Sequence, residues 1–150
     1  MELNFRLLRA DEIDARVSQI TANSVMLLLY KDARCDMNIL DETVGPMNWM
    51  RAHSRENANC TVSIWDNDKK MWISKEDTGT ESNTEKEKGL ASDSFKRACT
   101  NWGIGRELYT SPSLFFPKAK TNAQKGTQGK DVCYDKFIVE DIRYDGRNVE

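Results

Sequence analysis

Apolar residues in the first third of the chain form short blocks separated by polar breaks. In residues 10–20 they recur at helical spacing, which predicts a short amphipathic helix carried by Ile13, Val17 and Ile20. Residues 25–30 are continuously apolar between polar neighbours, which predicts a buried strand. Residues 34–39 continue as an extended or short helical segment, and a short helix around 40–42 is expected to end at Gly45-Pro46.

The middle of the chain has the pattern of an antiparallel sheet. Apolar and polar residues alternate over 60–64, a polar run at 66–69 supplies turn-forming side chains, and 71–75 returns as the partner strand. We therefore expect a β-hairpin that carries Lys69 and Lys70 at or beside its tip.

The most regular helix is predicted from about Glu85 to Trp102. A capping box at 84–87 opens it, and the glycines of 103–105 end it. Its apolar residues form one narrow stripe that can lie across a sheet, namely Ala91, Phe95, Ala98 and Trp102. Lys96 and Arg97 fall on the opposite half, so we expect them to face solvent or a ligand.

The C-terminal third is less regular. Residues 111–117 are predicted to form a Pro-bounded loop whose three apolar side chains need cover from the same domain or a neighbouring subunit. Residues 118–131 are rich in Gly, Gln, Thr and Lys, which predicts a flexible basic loop. Alternation over 137–144 predicts a final strand, followed by a turn at Asp145-Gly146.

Composition favours one folded domain spanning residues 1–150. Hydrophobic residues make up 39% and charged residues 31%, so there is enough apolar material for a core and disorder throughout is excluded. The longest apolar run, 25–30, is far shorter than a membrane span, and the N-terminal residues lack the apolar stretch of a secretory signal. We expect a soluble protein of the cytoplasm, without membrane contact.

The net charge of -2 hides a segregated basic segment between Lys96 and Lys130. Within it Glu107 is the single acid, against seven basic residues: Lys96, Arg97, Arg106, Lys118, Lys120, Lys125 and Lys130. Such a segment can serve a polyanion even in a mildly acidic protein, or it can be an ordinary solvated surface. Charge alone leaves both interpretations open.

The sequence contains no evident catalytic centre or cofactor site. The four cysteines are scattered and accompanied by one histidine, His53, so zinc and iron–sulfur spacings are missing and reduced thiols are expected. A phosphate-binding loop for ATP is also missing. The carboxylates of Glu76 with Asp77, or of Glu81 with Glu85, could hold magnesium as in a nuclease, although acids beside a loop are usually only solvated.

Features of a binding protein remain. A helix carries adjacent cations, a hairpin tip carries two lysines, and aromatic residues lie nearby in sequence. Single-stranded nucleic acid is held by basic grooves that follow phosphates, sometimes with aromatic stacking platforms. The tryptophans can serve as such platforms or pack in the core, and Trp102, on the apolar stripe, is expected in the core.

Three motifs in order resemble the Rad fifty-two superfamily of single-strand annealing proteins. The stretch 33–42, followed by Gly45 and Trp49, is similar to the family segment in which a strand leads into a short helix ending Asn/Asp-Glu-x-x-Gly-x-x-x-Trp. The stretch 93–98 resembles the family's Asp-x-x-Lys-Arg-Ala helix, and 77–79 its Asp-x-Gly. The resemblance covers roughly residues 10–109 and is closest to the phage and prophage members of Sak type.

This resemblance implies an α+β fold with a β-β-β-α core, in which one long helix crosses a twisted antiparallel sheet. Subunits of the family assemble into an oligomeric ring or curved filament. The implied function is ATP-independent binding and annealing of single-stranded DNA in phage or prophage recombination and repair, in the bacterial cytoplasm and without cofactor or catalysis. A single-strand-binding protein or an exonuclease is the kind of protein partner it leaves open.

The resemblance also assigns site residues. Lys96 and Arg97 would line the inner wall of a DNA groove, and a second, outer contact would use Lys69 or Lys70. The arginine that the family places on the early strand falls here at Cys35, and a further arginine is replaced by Thr100. Either the groove is less basic in this chain, or three elements compensate, namely Arg34, Arg106 and the Lys118–Lys130 segment.

Two other function classes stay open. One is a module that coats single-stranded DNA or RNA without annealing it, and strand-pairing kinetics distinguish it. The other is a metal-dependent nuclease, recognised by magnesium-dependent cleavage that loss of Glu81 or Asp77 abolishes.

Overall fold

The computed structural model describes residues 2–80 and 86–150. In chain order, the helices and strands are β1 (Asp14–Ile20), β2 (Ser24–Tyr30), α1 (Ala33–Val44), β3 (Trp49–Ser54), β4 (Asn59–Asp66), β5 (Met71–Thr78), α2 (Lys86–Trp102), β6 (Leu114–Pro117), β7 (Gln124–Lys125), β8 (Asp131–Val132), β9 (Phe137–Ile138), β10 (Tyr144–Asp145) and β11 (Asn148–Val149). Within the described ranges, neither α-helix has the length and apolar character needed to cross a membrane. The fold is a mixture of helices and antiparallel sheets, compatible with the expected α+β class.

The chain divides into two compact units. The first consists of Met1–Leu7 with Asp32–Arg106, and the second of Leu8–Lys31 with Glu107–Glu150. The prediction of a single domain spanning residues 1–150 stays a prediction.

The first unit contains a three-stranded antiparallel meander followed by α2. The strand order is β3-β4-β5, and in the β4–β5 ladder Trp65 pairs with Trp72 while Asn59 pairs with Thr78. The turn between them holds Lys70 at a positive φ of 52°. The predicted hairpin is therefore confirmed, with Lys69 and Lys70 in its tip.

The helix α2 packs against β4 and β5 because its apolar stripe meets the apolar face of the sheet. Phe95 and Ala98 are fully buried, as are Val62 and Ile64 on β4. The indole Nε1 of Trp102 donates to the carbonyl oxygen of Val62 at 3.0 Å. The predicted helix and stripe are confirmed, whereas the first half of the predicted capping box, residues 84–85, lies outside the described residues.

The segment 33–44 forms one helix, α1, which confirms the helical alternative for 34–39 and joins it to the short helix predicted around 40–42. The carboxylate of Asp32 caps it by accepting from the Cys35 N–H at 3.1 Å. The helix ends at Gly45, where the predicted stop lies and where φ is +89°.

The second unit contains a four-stranded antiparallel sheet of order β6-β2-β1-β9. Val25 and Leu27 of β2 are buried, which confirms the predicted strand. The carboxylate of the buried Glu107 accepts from the Leu8 N–H at 3.0 Å, and the Tyr144 hydroxyl donates to the Leu8 carbonyl at 2.7 Å. Burial raises the pKa of Tyr144 to about 12, with the charge of Glu107 adding to the effect.

The predicted helix over 10–20 is wrong, because these residues form a short 3-10 turn and then β1. The helical spacing of the apolar residues comes instead from a β-bulge between Val17 and Gln19. Val17 pairs with Leu27, and beyond the bulge Ile20 pairs with Val25, so both apolar side chains stay on one face despite their odd spacing. A bulged strand thus imitates helical spacing in the sequence.

Three C-terminal predictions also change. The apolar part of 111–117 is not a loop but the edge strand β6, paired with β2. The segment 118–131 contains a 3-10 turn and the small β7–β8 ladder. The expected strand over 137–144 is interrupted, leaving β9 at one end and β10 at the other, and β10 forms a hairpin with β11 across the predicted turn.

Candidate nucleic-acid interface

The candidate interface centres on the side of α2 that points away from the sheet. A helix advances about 100° per residue, so Lys96 and Arg97 both lie far from the buried stripe. Both residues are half-buried, and the Arg97 side chain is 38% exposed. They are therefore more tightly held than fully solvated surface cations.

Asp93, one helical turn before Arg97, organises this surface. Its Oδ2 accepts from the Arg97 Nε at 2.9 Å and from the Thr80 backbone N–H at 2.8 Å. Burial alone would raise the pKa of Asp93, but the hydrogen bonds from Thr80 and Arg97 and the charge of Arg97 outweigh it and lower the pKa. A carboxylate that is ionised at neutral pH thus joins the end of the sheet to the guanidinium of Arg97.

The end of β5 approaches α2 closely enough to require glycine. A Cβ on Gly79 would lie 2.8 Å from the Ser94 backbone nitrogen and 3.1 Å from Asp93 Oδ2. On the other side, the Gly79 N–H donates to the Ala58 carbonyl at 2.7 Å. The glycine of the Asp-x-Gly motif therefore has a packing role, because it lets the strand end reach Asp93.

Ser94 fixes the neighbouring turn. Its fully buried hydroxyl donates to the Asn57 carbonyl at 2.9 Å, and its oxygen lies 3.4 Å from His53 Nδ1. Burial, together with the charge of Arg51, lowers the pKa of His53. The single histidine is accordingly a neutral packing group at neutral pH.

Arg106 caps the C-terminal end of α2. Its Nε donates to the Thr100 carbonyl at 2.8 Å and its Nη2 to the Asn101 carbonyl at 3.0 Å. Lys75 of β5 donates to the same Asn101 carbonyl at 3.3 Å. Cations at this end also complement the helix dipole, so Arg106 has a structural task besides any contact with a ligand.

The two positions that depart from the family motif, Cys35 and Thr100, carry no charge. Cys35 is buried in α1, so this position does not present a side chain to a ligand. The Thr100 hydroxyl donates back to the Lys96 carbonyl at 2.9 Å. Arg34 is exposed in the first turn of α1.

The hairpin tip is a separate surface. Lys69 and Lys70 are exposed at one end of the β4–β5 ladder, whereas Gly79 and Thr80 follow its other end. An eight-residue strand spans about 25 Å. The structure therefore brings Arg97 to Asp93 and Thr80, and it places the tip lysines well away from them.

The basic segment is likewise divided. The first unit contains Lys96, Arg97 and Arg106. The second unit contains the later lysines of the basic segment, namely Lys118, Lys120, Lys125 and Lys130. Lys118 there forms an ion pair of 2.8 Å with Asp131, whose pKa is lowered by the Lys118 hydrogen bond.

Arg51 on β3 is a cation that the sequence analysis did not single out. Its guanidinium carbon lies 4.6 Å from the centroid of the buried Phe95 ring, and the residue is exposed. Alternation along β3 places Arg51 on the same face as Trp49. That alternation is visible in the sequence, but only the packed structure shows that Arg51 lies over the Phe95 ring of α2.

The acidic side chains that the sequence offers as metal ligands do not gather in the described part of the chain. Among those residues, no three His, Cys, Asp or Glu side chains cluster as a metal site. Glu76 and Asp77 are successive on β5 and therefore point to opposite faces of the sheet. Glu81 and Glu85 lie outside the described residues.

The four cysteines are free, as predicted. Cys35, Cys60 and Cys99 are buried and Cys133 is half-buried. Burial raises the pKa of Cys60 to about 11, which keeps its thiol protonated and unreactive.

Comparisons with family models, with curated proteins and with solved structures find no match to this chain. The family resemblance therefore rests on the three motifs and their order.

Proposed function

We propose that this chain binds single-stranded DNA along the outer side of α2 and anneals complementary strands without ATP. The observation that carries the proposal is the pair Lys96 and Arg97 on the side of α2 away from the sheet, with Arg97 bonded to Asp93. The ligand follows from the resemblance, because the Asp-x-x-Lys-Arg-Ala motif belongs to a family that binds single-stranded DNA. The strand order β3-β4-β5 followed by α2 agrees with the core which that family implies.

The chemistry needed is modest. Lys96 and Arg97 contact phosphates and release counterions, so binding depends on salt. Phosphate contacts position the strand without engaging its base edges, which leaves the bases able to test a complementary strand. No bond is formed or broken by the protein, and no nucleotide is hydrolysed. The tip lysines provide the second, outer contact for the other strand.

The proposal includes assembly into a homo-oligomeric ring or curved filament. Its support is β6, an edge strand whose outer backbone groups can pair with another chain. Phe115 is 55% and Phe116 40% exposed on that strand, and burial between copies would remove this apolar surface from water. Sedimentation at micromolar concentration should give an oligomer, and a monomer alone would remove this part of the proposal.

The decisive experiment is annealing of two complementary labelled oligonucleotides without ATP. Wild type should accelerate pairing, and the Lys96→Ala/Arg97→Ala variant should lose most of the acceleration. Lys136→Ala/Arg143→Ala is a matched control, because it removes one lysine and one arginine that are exposed in the second unit.

The possible outcomes separate the function classes. Binding without acceleration would identify a strand-coating module in a phage or prophage repair system rather than an annealing protein. Magnesium-dependent cleavage of the oligonucleotides would instead favour the nuclease. Equal loss of acceleration in the control variant would show that total charge, and not the α2 surface, drives pairing.

A further inference from the structure

The hairpin tip combines an exposed indole with two lysines that have no acidic partner among the described residues. Trp72 is 37% exposed, the highest value among the four tryptophans. Lys69 and Lys70, just before it along the chain, are exposed, and neither forms an ion pair with any residue that the structure describes. Unpaired cations beside an aromatic ring are the combination that single-stranded nucleic acid requires.

Trp72 is held in place from one side. It faces Trp65 across the β4–β5 ladder, with ring centroids 5.6 Å apart and planes at 69°. A T-shaped contact sets the edge of one ring against the face of the other, so it covers at most one face of Trp72. The half-buried Trp65 also lines an open depression of about 420 Å³ together with Leu3 and Val44. Trp72 is thus fixed without being enclosed.

The other tryptophans are engaged by the fold. Trp49 stacks on Phe95 at 6.0 Å and donates its Nε1 to Asp41. Trp102 donates to the Val62 carbonyl, and the Nζ of Lys75 lies 4.8 Å from its ring centroid. Trp72 makes none of these contacts, so its ring is the one placed to contact a ligand.

We propose that Trp72 stacks on a base of a single-stranded nucleic acid whose phosphates pass Lys69 and Lys70. The occupant follows from charge complementarity, since two unpaired lysines beside a flat apolar ring match a chain that alternates phosphates with bases. The inference rests on the proposed function and deepens it, because it adds base stacking to an outer surface otherwise defined by charge. Trp72 points to the sheet face opposite α2, so this contact is separate from Lys96 and Arg97.

The test compares oligo-dT with an abasic oligonucleotide of the same length, which keeps the phosphates and lacks the bases. For Trp72→Leu, affinity for oligo-dT should fall roughly 5- to 100-fold, the range expected for one lost stacked base. Affinity for the abasic strand and the salt dependence should stay at wild-type values. Trp72→Tyr should retain most of the dT affinity, since it keeps an aromatic face.

Met71→Ala is the matched control, because Met71 is the adjacent residue, is 51% exposed and points to the other face of β5. It should bind both strands as wild type does. If Trp72→Leu fails to fold, Trp72→Met, which keeps a large apolar side chain against Trp65, replaces it with the same expectation.

Three results would overturn the inference: unchanged dT affinity in Trp72→Leu, equal losses for dT and abasic strands, or the same loss in Met71→Ala. Each leaves the proposed function standing, provided that wild type binds oligo-dT and Lys96→Ala/Arg97→Ala binds it about 30- to 150-fold more weakly. If wild type itself fails to bind oligo-dT, both proposals are wrong.

Discussion

The α2 surface and the hairpin tip each offer two adjacent cations, but the fold holds the two pairs differently. Lys96 and Arg97 are half-buried, and Arg97 is fastened by Asp93, which is itself tied to Thr80. Lys69 and Lys70 are exposed on a turn. An unfixed lysine loses up to about 2 kcal/mol of side-chain entropy when it is immobilised. The α2 pair has lost part of this freedom before a ligand arrives, so it should contribute more affinity.

The largest expected effect is on DNA affinity. Lys96→Ala/Arg97→Ala should weaken binding of labelled oligo-dT by roughly 2–3 kcal/mol, or about 30- to 150-fold, because two charge-assisted contacts are lost. The logarithmic salt slope should become shallower by about 1.4, since each lost phosphate contact contributes about 0.7. Fluorescence anisotropy at several salt concentrations measures both quantities.

The two lysines of the hairpin tip are compared with the α2 pair in the same DNA-binding assay. Lys69→Ala/Lys70→Ala removes the same formal charge, so it should change the salt slope by a similar amount but reduce affinity only about 3- to 10-fold. Equal affinity losses in the two double variants would show that prior fixation by Asp93 makes no difference. An unchanged slope in Lys96→Ala/Arg97→Ala would show that the α2 pair does not touch phosphate.

The next effect is on stability and concerns the close packing that supports the α2 surface. Gly79→Ala should lower the free energy of unfolding by about 1–3 kcal/mol, because the new Cβ meets the Ser94 backbone nitrogen, which cannot move aside. Urea denaturation measures the loss. Thr80→Ala, at the adjacent exposed position, should change stability by no more than about 0.5 kcal/mol. A Gly79→Ala protein as stable as wild type would mean that the strand end is free to retreat from α2.

The sequence predicts best where the pattern is local. The hairpin and α2 were predictable because alternation and helical spacing run through 60–75 and 91–102 without interruption. The strand β1 was not, because its bulge makes Val17 and Ile20 imitate a helix. At the site, Lys96 and Arg97 could be placed on the outer half of α2 from spacing alone. Their environment could not, because Asp93 meets Thr80 only once β5 and α2 have packed.

The smallest expected effect is on stability and concerns Asp93, the carboxylate that fixes Arg97 on the α2 surface. Asp93→Asn keeps an oxygen for the Thr80 N–H and removes the charge that binds Arg97. We expect a loss of about 1 kcal/mol of stability at pH 7, limited because the Asp93 side chain is 31% exposed. Glu140→Gln, at an exposed position of the second unit, is the matched control and should change stability by less than about 0.5 kcal/mol.

The pH dependence then shows whether the charge of Asp93 is responsible. The folded pKa lies below the ordinary value of 3.8, so the unfolded chain binds the proton more readily. The stabilisation is therefore complete above 3.8 and is lost as the pH falls through the folded pKa. Unfolding curves of wild type and Asp93→Asn should differ by a constant amount at neutral pH and converge in acid. A difference that persists in acid would assign the loss to altered hydrogen bonding at Thr80, and the α2 surface would then owe its order to packing rather than to its ion pair.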